Sequence, residues 1–364
     1  AKDGEIIYHK AFGNYEYEPS PAINFESIFD LASVTKVSAT TISVMKLYDE
    51  GRLDLKKKLG DYLPWVRGSN KADLPVEEIL LHQAGLVSFI PFYKETIDTI
   101  TGIPNPAIYT SASKPGFTIR VAENIYMRND WNDTLFSRIL KSPLGPPNKY
   151  VYSDNDFIFL GKIVETITGM TLDQYVQKTF YTPMGLTTTG FKPRNRFPVD
   201  RMVPTETEKH FRRQTTQGDV HDEGASMFGG VAGHAGLFSD AYDLAMLYQM
   251  LLNGGEFNGE RYLKAGTIKL FTAYHSKVSR RGYGFDKPEK DNAIRKDPYP
   301  SLNVSSLTYG HTGYTGTCVW VDPKYKLVYI FLSNRVYPTR DNNKLSQLFI
   351  RGKIQDAIYR ALGI

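Results

Sequence analysis

The chain has 364 residues, 41% hydrophobic and 23% charged, with a formal net charge of +5, an ordinary globular composition long enough for one large domain or two average ones. No apolar run reaches the ~18 residues of a membrane-crossing helix, and the basic stretches at Lys56 to Lys58 and Lys277 to Lys296 are interleaved with acids or loop residues, which reads as solvated surface and not as a nucleic-acid site. The single cysteine, Cys318, excludes an internal disulfide and a cysteine-based zinc cluster.

In chain order, Ala1 to Glu5 reads as a hairpin turn and Ile6 to Lys10 as the strand after it. The matching first strand, and any secretion signal, would then lie upstream. Tyr15 to Phe25 is loop. Phe29-Asp30-Leu31-Ala32-Ser33-Val34-Thr35-Lys36 leads into an apolar run to Leu47, in which Val37, Thr41, Val44 and Tyr48 recur at helical spacing and Ala39, Thr40 and Ser43 fill the other faces. This predicts a helix buried nearly all round and ended by Gly51. Ser33 and Lys36 fall on one face of its first turn. There a serine hydroxyl meets free backbone N–H groups and the positive end of the helix dipole. A lysine one turn on, stripped of water, is expected to have a lowered pKa and to serve as a base. Taken alone, S-x-x-K reads first as a capping serine and a surface lysine, and the other motifs change that balance.

Asp54 to Trp65 is a charged connection, and Val76 to His82 a short helix closed by Gly85, with His82 in the last turn where imidazole suits the dipole. Residues 87 to 150 are aromatic and rich in Pro, Asn and Ser, with one helix near Asp133 to Leu140, and suit the walls of a binding site. Asn155 to Thr168 is a helix with Gly169 just past its end, and Thr171-x-x-Gln174 is a capping box opening the next. Residues 185 to 225 read as extended loop and Asp240 to Leu252 as an amphipathic helix. Gly316 to Asp322 and Lys326 to Ser333 form a hairpin of buried strands that holds Cys318 as a small hydrophobe, and Asn342 to Leu362 is a long helix placed to cover it. Strands at both ends with helices between them predict an α+β fold: an antiparallel sheet completed by both termini, flanked by helices, with a mainly helical lobe inserted. A single catalytic domain then spans 1–364, its sheet part about 1–50 and 226–364 and its lobe about 51–225.

Three further motifs carry chemistry. Tyr152-Ser153-Asp154 precedes a helix, where a loop tyrosine could relay a nucleophile's proton. Gly310-His311-Thr312-Gly313-Tyr314-Thr315-Gly316-Thr317 has the small residues that let a substrate backbone lie along an edge strand, with the Tyr314 N–H placed to join that of Ser33 as an oxyanion hole. Phe228 to Ser239 holds a glycine run that implies close backbone packing, without the Lys-Ser/Thr of a phosphate cradle. His82, His221 and His234 lack metal-ligand spacing and read as structural hydrogen-bonding residues, so no metal is expected. No G-x-S-x-G occurs.

Ser33-x-x-Lys36, Tyr152-Ser153-Asp154 and His311-Thr312-Gly313, in this order and at these separations, resemble the serine β-lactamase and penicillin-binding-protein superfamily, most of all its class C-like branch with family VIII esterases and D-aminopeptidases. Leu80 to Leu86, Tyr152 to Gly161 and Gly233 to Ser239 look like the same branch, so the resemblance covers nearly the whole chain. It implies Ser33 as nucleophile, Lys36 as its base, Tyr152 as proton relay, and the Ser33 and Tyr314 amides as oxyanion hole, with Thr312, Gly313 and Asp154 against the substrate. Two departures stand out. Asp154 replaces the usual Asn, which weakens an amide contact to substrate. His311 replaces the usual Lys and is mostly neutral at pH 7, which speaks against efficient penicillin hydrolysis. The reaction implied is hydrolysis of an ester or amide through an acyl-enzyme, without cofactor, on a small molecule or peptide such as a cell-wall muropeptide or β-lactam. The implied setting is the bacterial periplasm or envelope, with a fused or cooperating glycosidase as a possible partner. A catalytically silent penicillin-binding or sensor module and a D-Ala-D-Ala carboxypeptidase are the alternatives.

Overall fold

The computed structural model describes residues 1–17 and 19–364. At its start the Ala1 ammonium donates to the Val328 carbonyl at 2.8 Å and Lys2 bridges Leu327. The strand expected over Ile6 to Lys10 does not form. Asp3 and Gly4 both adopt left-handed conformations that turn the chain away from the sheet edge, leaving Ile6, Ile7 and Tyr8 extended and exposed.

Strand β1 (Phe29–Asp30) delivers the chain to Ser33. The continuous helix expected after it is composite: a tight 3-10 turn over Ala32–Val34, a wide π turn over Lys36–Thr41, and α1 (Ile42–Asp49). Tertiary hydroxyl contacts hold the widened turn: Ser38 Oγ lies 2.7 Å from the Tyr248 hydroxyl, Tyr181 donates to the Ser38 carbonyl at 2.8 Å, and Thr40 donates to the Gly233 carbonyl at 2.7 Å. Such π turns are rare and recur at functional sites.

Helix α2 (Val76–Leu80) stops before His82, which sits in the left-handed region at φ +57°. His82 is therefore in the turn beyond the helix and not in its last turn. The aromatic segment contains a three-stranded antiparallel sheet, β2 (Tyr109–Thr110), β3 (Ile119–Ala122) and β4 (Ile125–Met127), in the order β2-β4-β3, ahead of helix α3 (Trp131–Lys141). Helix α4 (Asp154–Thr168) ends on Gly169 at φ +69°, and the capping box of Thr171 and Gln174 is formed. Strand β5 (Gly190–Phe191) lies in the segment expected as loop, and helix α5 (Glu223–Met227), which Asp222 caps by accepting from the Ala225 N–H, begins at its end. Strand β6 (Leu237–Ser239) is central in the sheet β1-β6-β5, and helix α6 (Ala241–Leu252) follows.

The last sheet runs β7 (Tyr309–Thr312), β8 (Cys318–Asp322), β9 (Leu327–Phe331), all antiparallel. Its residues alternate between two buried faces. Val319, Val321 and Val328 join the main core with Leu244, Leu247 and Leu251 of α6. Cys318, Trp320 and Tyr329 pack on the opposite face against Ile354 and Ile358 of helix α7 (Ile350–Ala361). Each large apolar side chain so enclosed contributes about 1.5–3 kcal/mol. The long C-terminal helix is broken at Phe349, φ +54°, whose ring fills the space beside Gly352. The architecture is the α+β arrangement of helices on antiparallel sheet expected from the sequence. Among the described residues no helix is long and apolar enough to cross a membrane.

Candidate active site

Ser33 sits half-buried on a turn anchored from several sides. Ala32, at φ +46°, donates its N–H to Asp30 Oδ1 at 2.8 Å, and Asp30 Oδ2 accepts the His221 N–H at 2.6 Å. A non-glycine residue in the left-handed region persists only where its surroundings over-determine it, and such strain clusters at functional sites. The segment after β7 is sewn onto the same turn. Thr315 donates to the Asp30 carbonyl at 2.8 Å and Thr317 to the Leu31 carbonyl at 3.0 Å. Gly313 lies so close that a Cβ there would overlap the Leu31 carbonyl and the Thr317 hydroxyl. This holds the segment that carries Tyr314 against the Asp30–Leu31 end of the Ser33 turn. The Tyr314 N–H donates to no acceptor among the described residues, and its ring lies between His221 (5.7 Å) and the Arg335 guanidinium (4.4 Å).

Lys36 is fully buried. Its Nζ contacts Ser33 Oγ at 3.0 Å, Asp154 Oδ1 at 2.7 Å and the His234 carbonyl at 3.1 Å. A carboxylate and a carbonyl can only accept, so two N–H groups are spent on them. With Ser33 as the third acceptor, all three donors of an ammonium are used. Burial pulls the lysine down, but the Asp154 carboxylate and Tyr152 outweigh it and its pKa rises above the ordinary lysine value. The expectation of a lysine with a lowered pKa is thereby overturned, because the opposite charge lies nearer than the solvent lost. Asp154, expected against the substrate, is instead an ion-pair partner of Lys36.

The glycine run supplies the carbonyl acceptor. A Cβ on Gly233 would collide with the Phe157 carbonyl of α4, so only glycine lets the two backbones meet and presents the His234 carbonyl to Lys36. The His234 ring is held 2.9 Å from Asp222.

Tyr152 lies under the ammonium, with Lys36 Nζ 4.9 Å from the ring centre. Burial raises the phenol above its usual value, and Lys36 and Ser33 pull against that rise. Its ring faces two imidazoles, His82 at 4.7 Å and His311 at 5.9 Å. His311, buried on β7, donates from Nδ1 to the Thr312 carbonyl at 2.7 Å, and its Nε2 has no partner among the described residues. Burial, helped by the Arg281 charge, pushes His311 down to about 3, so the ring is neutral. Thr312 and Gly313 close β7 at the edge of this space.

The structure thus brings Ser33, Lys36, Tyr152, Asp154, His311, Thr312, Gly313 and Tyr314 to one place. Sequence reasoning missed the His234 carbonyl and the pair His82 and Asp156, 2.7 Å apart and buried behind Tyr152. The stretch Leu80 to Leu86 was a signal for the second. His82, His221 and His234 lie in three separate carboxylate pairs, with Asp156, Glu206 and Asp222. Among the described residues no three His, Cys, Asp or Glu side chains are grouped as metal ligands.

The family model described as Beta-lactamase matches residues 1–348. A protein of Escherichia coli K12 named "Putative D-alanyl-D-alanine carboxypeptidase" is 34% identical, over 98% of this chain and 82% of that protein. A Salmonella typhimurium protein of the same name is 32% identical, over 98% and 83%. Among solved structures, the octameric penicillin-binding protein homologue from Pyrococcus abyssi is 21% identical with a TM-score of 0.65, covering 96% of this chain and 72% of that one. EstCE1, a hydrolase with promiscuous acyltransferase activity, is 20% identical with a TM-score of 0.68, covering 99% and 92%. At these identities the two structures speak for the fold alone.

Proposed function

The chain belongs to the Beta-lactamase family and is a serine hydrolase; on that premise we propose that Ser33 is the nucleophile of an acyl-enzyme mechanism in which Tyr152 receives its proton. The carrying observation is the Lys36 ammonium 3.0 Å from Ser33 Oγ, with its other donors committed to Asp154 and His234. A lysine so committed acts as a fixed cation. It orients Ser33 and favours negative charge on the neighbouring phenol oxygen. With Tyr152 in its phenolate form, its own proton given up to solvent beforehand, Ser33 Oγ bonds to the acyl carbon as the serine proton passes to the phenolate oxygen. The tetrahedral oxyanion is held by the Ser33 and Tyr314 amides, and Tyr152 returns the proton to the departing oxygen or nitrogen. Water releases the acyl group by the same steps in reverse order.

For the substrate we propose a peptide ending in D-Ala-D-Ala or a muropeptide derived from it, acted on in the bacterial envelope. The support is the likeness, over 98% of this chain, to relatives that carry the carboxypeptidase name. The neutral His311 favours a second reading, an esterase, since an imidazole with a bare lone pair offers no fixed charge to a substrate carboxylate. A panel of D-Ala-D-Ala peptide, muropeptide, p-nitrophenyl acetate and a penicillin, followed by mass spectrometry of the Ser33 adduct, separates them. Release of D-Ala with a transient adduct supports the first reading, and turnover of the acetate alone supports the second. A stable penicillin adduct with no turnover of any substrate would replace both with a silent binding module.

A further inference from the structure

Tyr152 is gripped through its neighbours on both sides by one residue. The His82 carbonyl accepts the Val151 N–H at 2.9 Å, and the His82 ring nitrogen Nδ1 lies 3.2 Å from the Ser153 N–H. Between these two bonds the imidazole faces the Tyr152 ring at 4.7 Å. The carbonyl and the ring reach both flanks because His82 is in the left-handed conformation, where its own N–H still bonds back to the Ile79 carbonyl at 3.1 Å. Asp156, on the first turn of α4, fixes the imidazole: its carboxyl, kept protonated by burial, donates from Oδ2 at 2.7 Å to the same Nδ1 lone pair that faces the Ser153 N–H. The loop after His82 completes the cradle: the Val87 carbonyl accepts from Ser153 Oγ at 2.7 Å and Asn155 Nδ2 at 2.8 Å, and the Ser88 carbonyl accepts the Asp154 N–H at 2.9 Å.

We propose that His82, backed by Asp156, is a positioning residue that sets the Tyr152 phenol against Ser33 and Lys36. The inference rests on the reading of Tyr152 as proton acceptor given above. His82 does not reach substrate. It acts by fixing the backbone on each side of Tyr152 and one face of its ring, and small misplacements of a reacting group cost up to about 100-fold in rate. The charged and titratable groups around the phenol are Lys36 and Asp154 on one side and His82 and His311 on the other, with Asp156 and Arg281 behind His82. A shift of the phenol changes its distance to all of them, so the pH profile of turnover reports its position.

The test uses the full chain and p-nitrophenyl acetate, with each preparation titrated to its end point by a fluorophosphonate so that rates are expressed per reactive Ser33. His82→Ala is expected to lower kcat about 30-fold with KM nearly unchanged and to move the rising limb of the pH profile. His82→Asn tolerates the left-handed backbone and keeps an acceptor for the Ser153 N–H, and is expected to stay within about fivefold of wild type. Should His82→Ala not fold, Asp156→Asn carries the test, with an expected loss of about threefold to tenfold and a displaced limb. In Tyr152→Phe/His82→Ala the second change should cost nothing beyond the first, because both act through one phenol. A kcat per titrated site within twofold of wild type and an unmoved limb in His82→Ala and Asp156→Asn, or full additivity in the double variant, would overturn the inference. Its failure is distinguishable from that of the underlying reading. Tyr152→Phe as active as wild type removes the role of Tyr152 itself, whereas an inactive Tyr152→Phe beside a normal His82→Ala removes only the role of His82.

Discussion

The two sides of Tyr152 are built on opposite principles. Toward Ser33 the site is ionic and its donors are used up, as Lys36 spends three contacts on Ser33, Asp154 and the His234 carbonyl. Toward β7 and the His82 turn it is neutral and incompletely bonded, with His82 Nε2, His311 Nε2 and Asp156 Oδ1 all buried without partners among the described residues. Burial drives both imidazoles down and the Asp156 carboxyl up, so each is pushed to its uncharged form. A charge survives burial only where a partner of opposite sign touches it, and elsewhere the group discharges. The ionic side therefore sets the protonation of the phenol, and the neutral side sets where it sits.

The contrast can be broken at several points. Ser33→Ala, which removes the atom both sides serve, should lower turnover by about 10⁴-fold or more and abolish the mass adduct; an adduct on another residue would remove the site altogether. Tyr152→Phe should cost about 10² to 10⁴-fold in kcat while leaving folded stability close to wild type, measured by steady-state kinetics beside urea unfolding. A more delicate probe is Asp154→Asn. Removing the carboxylate takes away a charge that raises the pKa of the Tyr152 phenol, so the rising limb of kcat/KM should move to lower pH. An unmoved limb would mean that Asp154 does not govern the ionic side.

The neutral side has a signature in stability. His311 has a folded pKa of about 3, below its unfolded value near 6.5. Between those values the unfolded chain binds a proton that the folded one refuses, so this contribution is intact above about pH 6.5 and declines as pH falls. His311→Gln should flatten that decline by up to about 1.4 kcal/mol per pH unit, seen in unfolding midpoints at pH 7, 6 and 5. An unchanged slope would place the imidazole charge elsewhere.

Much of this was legible before any coordinates. Periodicity and caps located α4, α6 and the β8 and β9 hairpin, because each has a one-sided apolar pattern and a local stop signal. The short strands β2 to β4 escaped notice, since strands of two to four residues carry no readable alternation. Ser33 and Lys36 stood out once the motifs at Tyr152 and His311 were read beside their spacing. The charge of Lys36 did not, because it depends on Asp154, 118 residues away, and on a carbonyl that no side-chain pattern encodes. His82 looked like a helix cap because its left-handed backbone, and hence its grip on Val151 and Ser153, follows from packing and not from its neighbours in the chain.

By itself the sequence determined the longer helices, the β8 and β9 hairpin and the motifs that are candidates for the chemistry, since these depend on local spacing and apolar pattern. Only the tertiary structure decided which groups keep their charge. That outcome depends on the solvent lost and the partners gained at distances of about 3 Å between residues far apart in the chain.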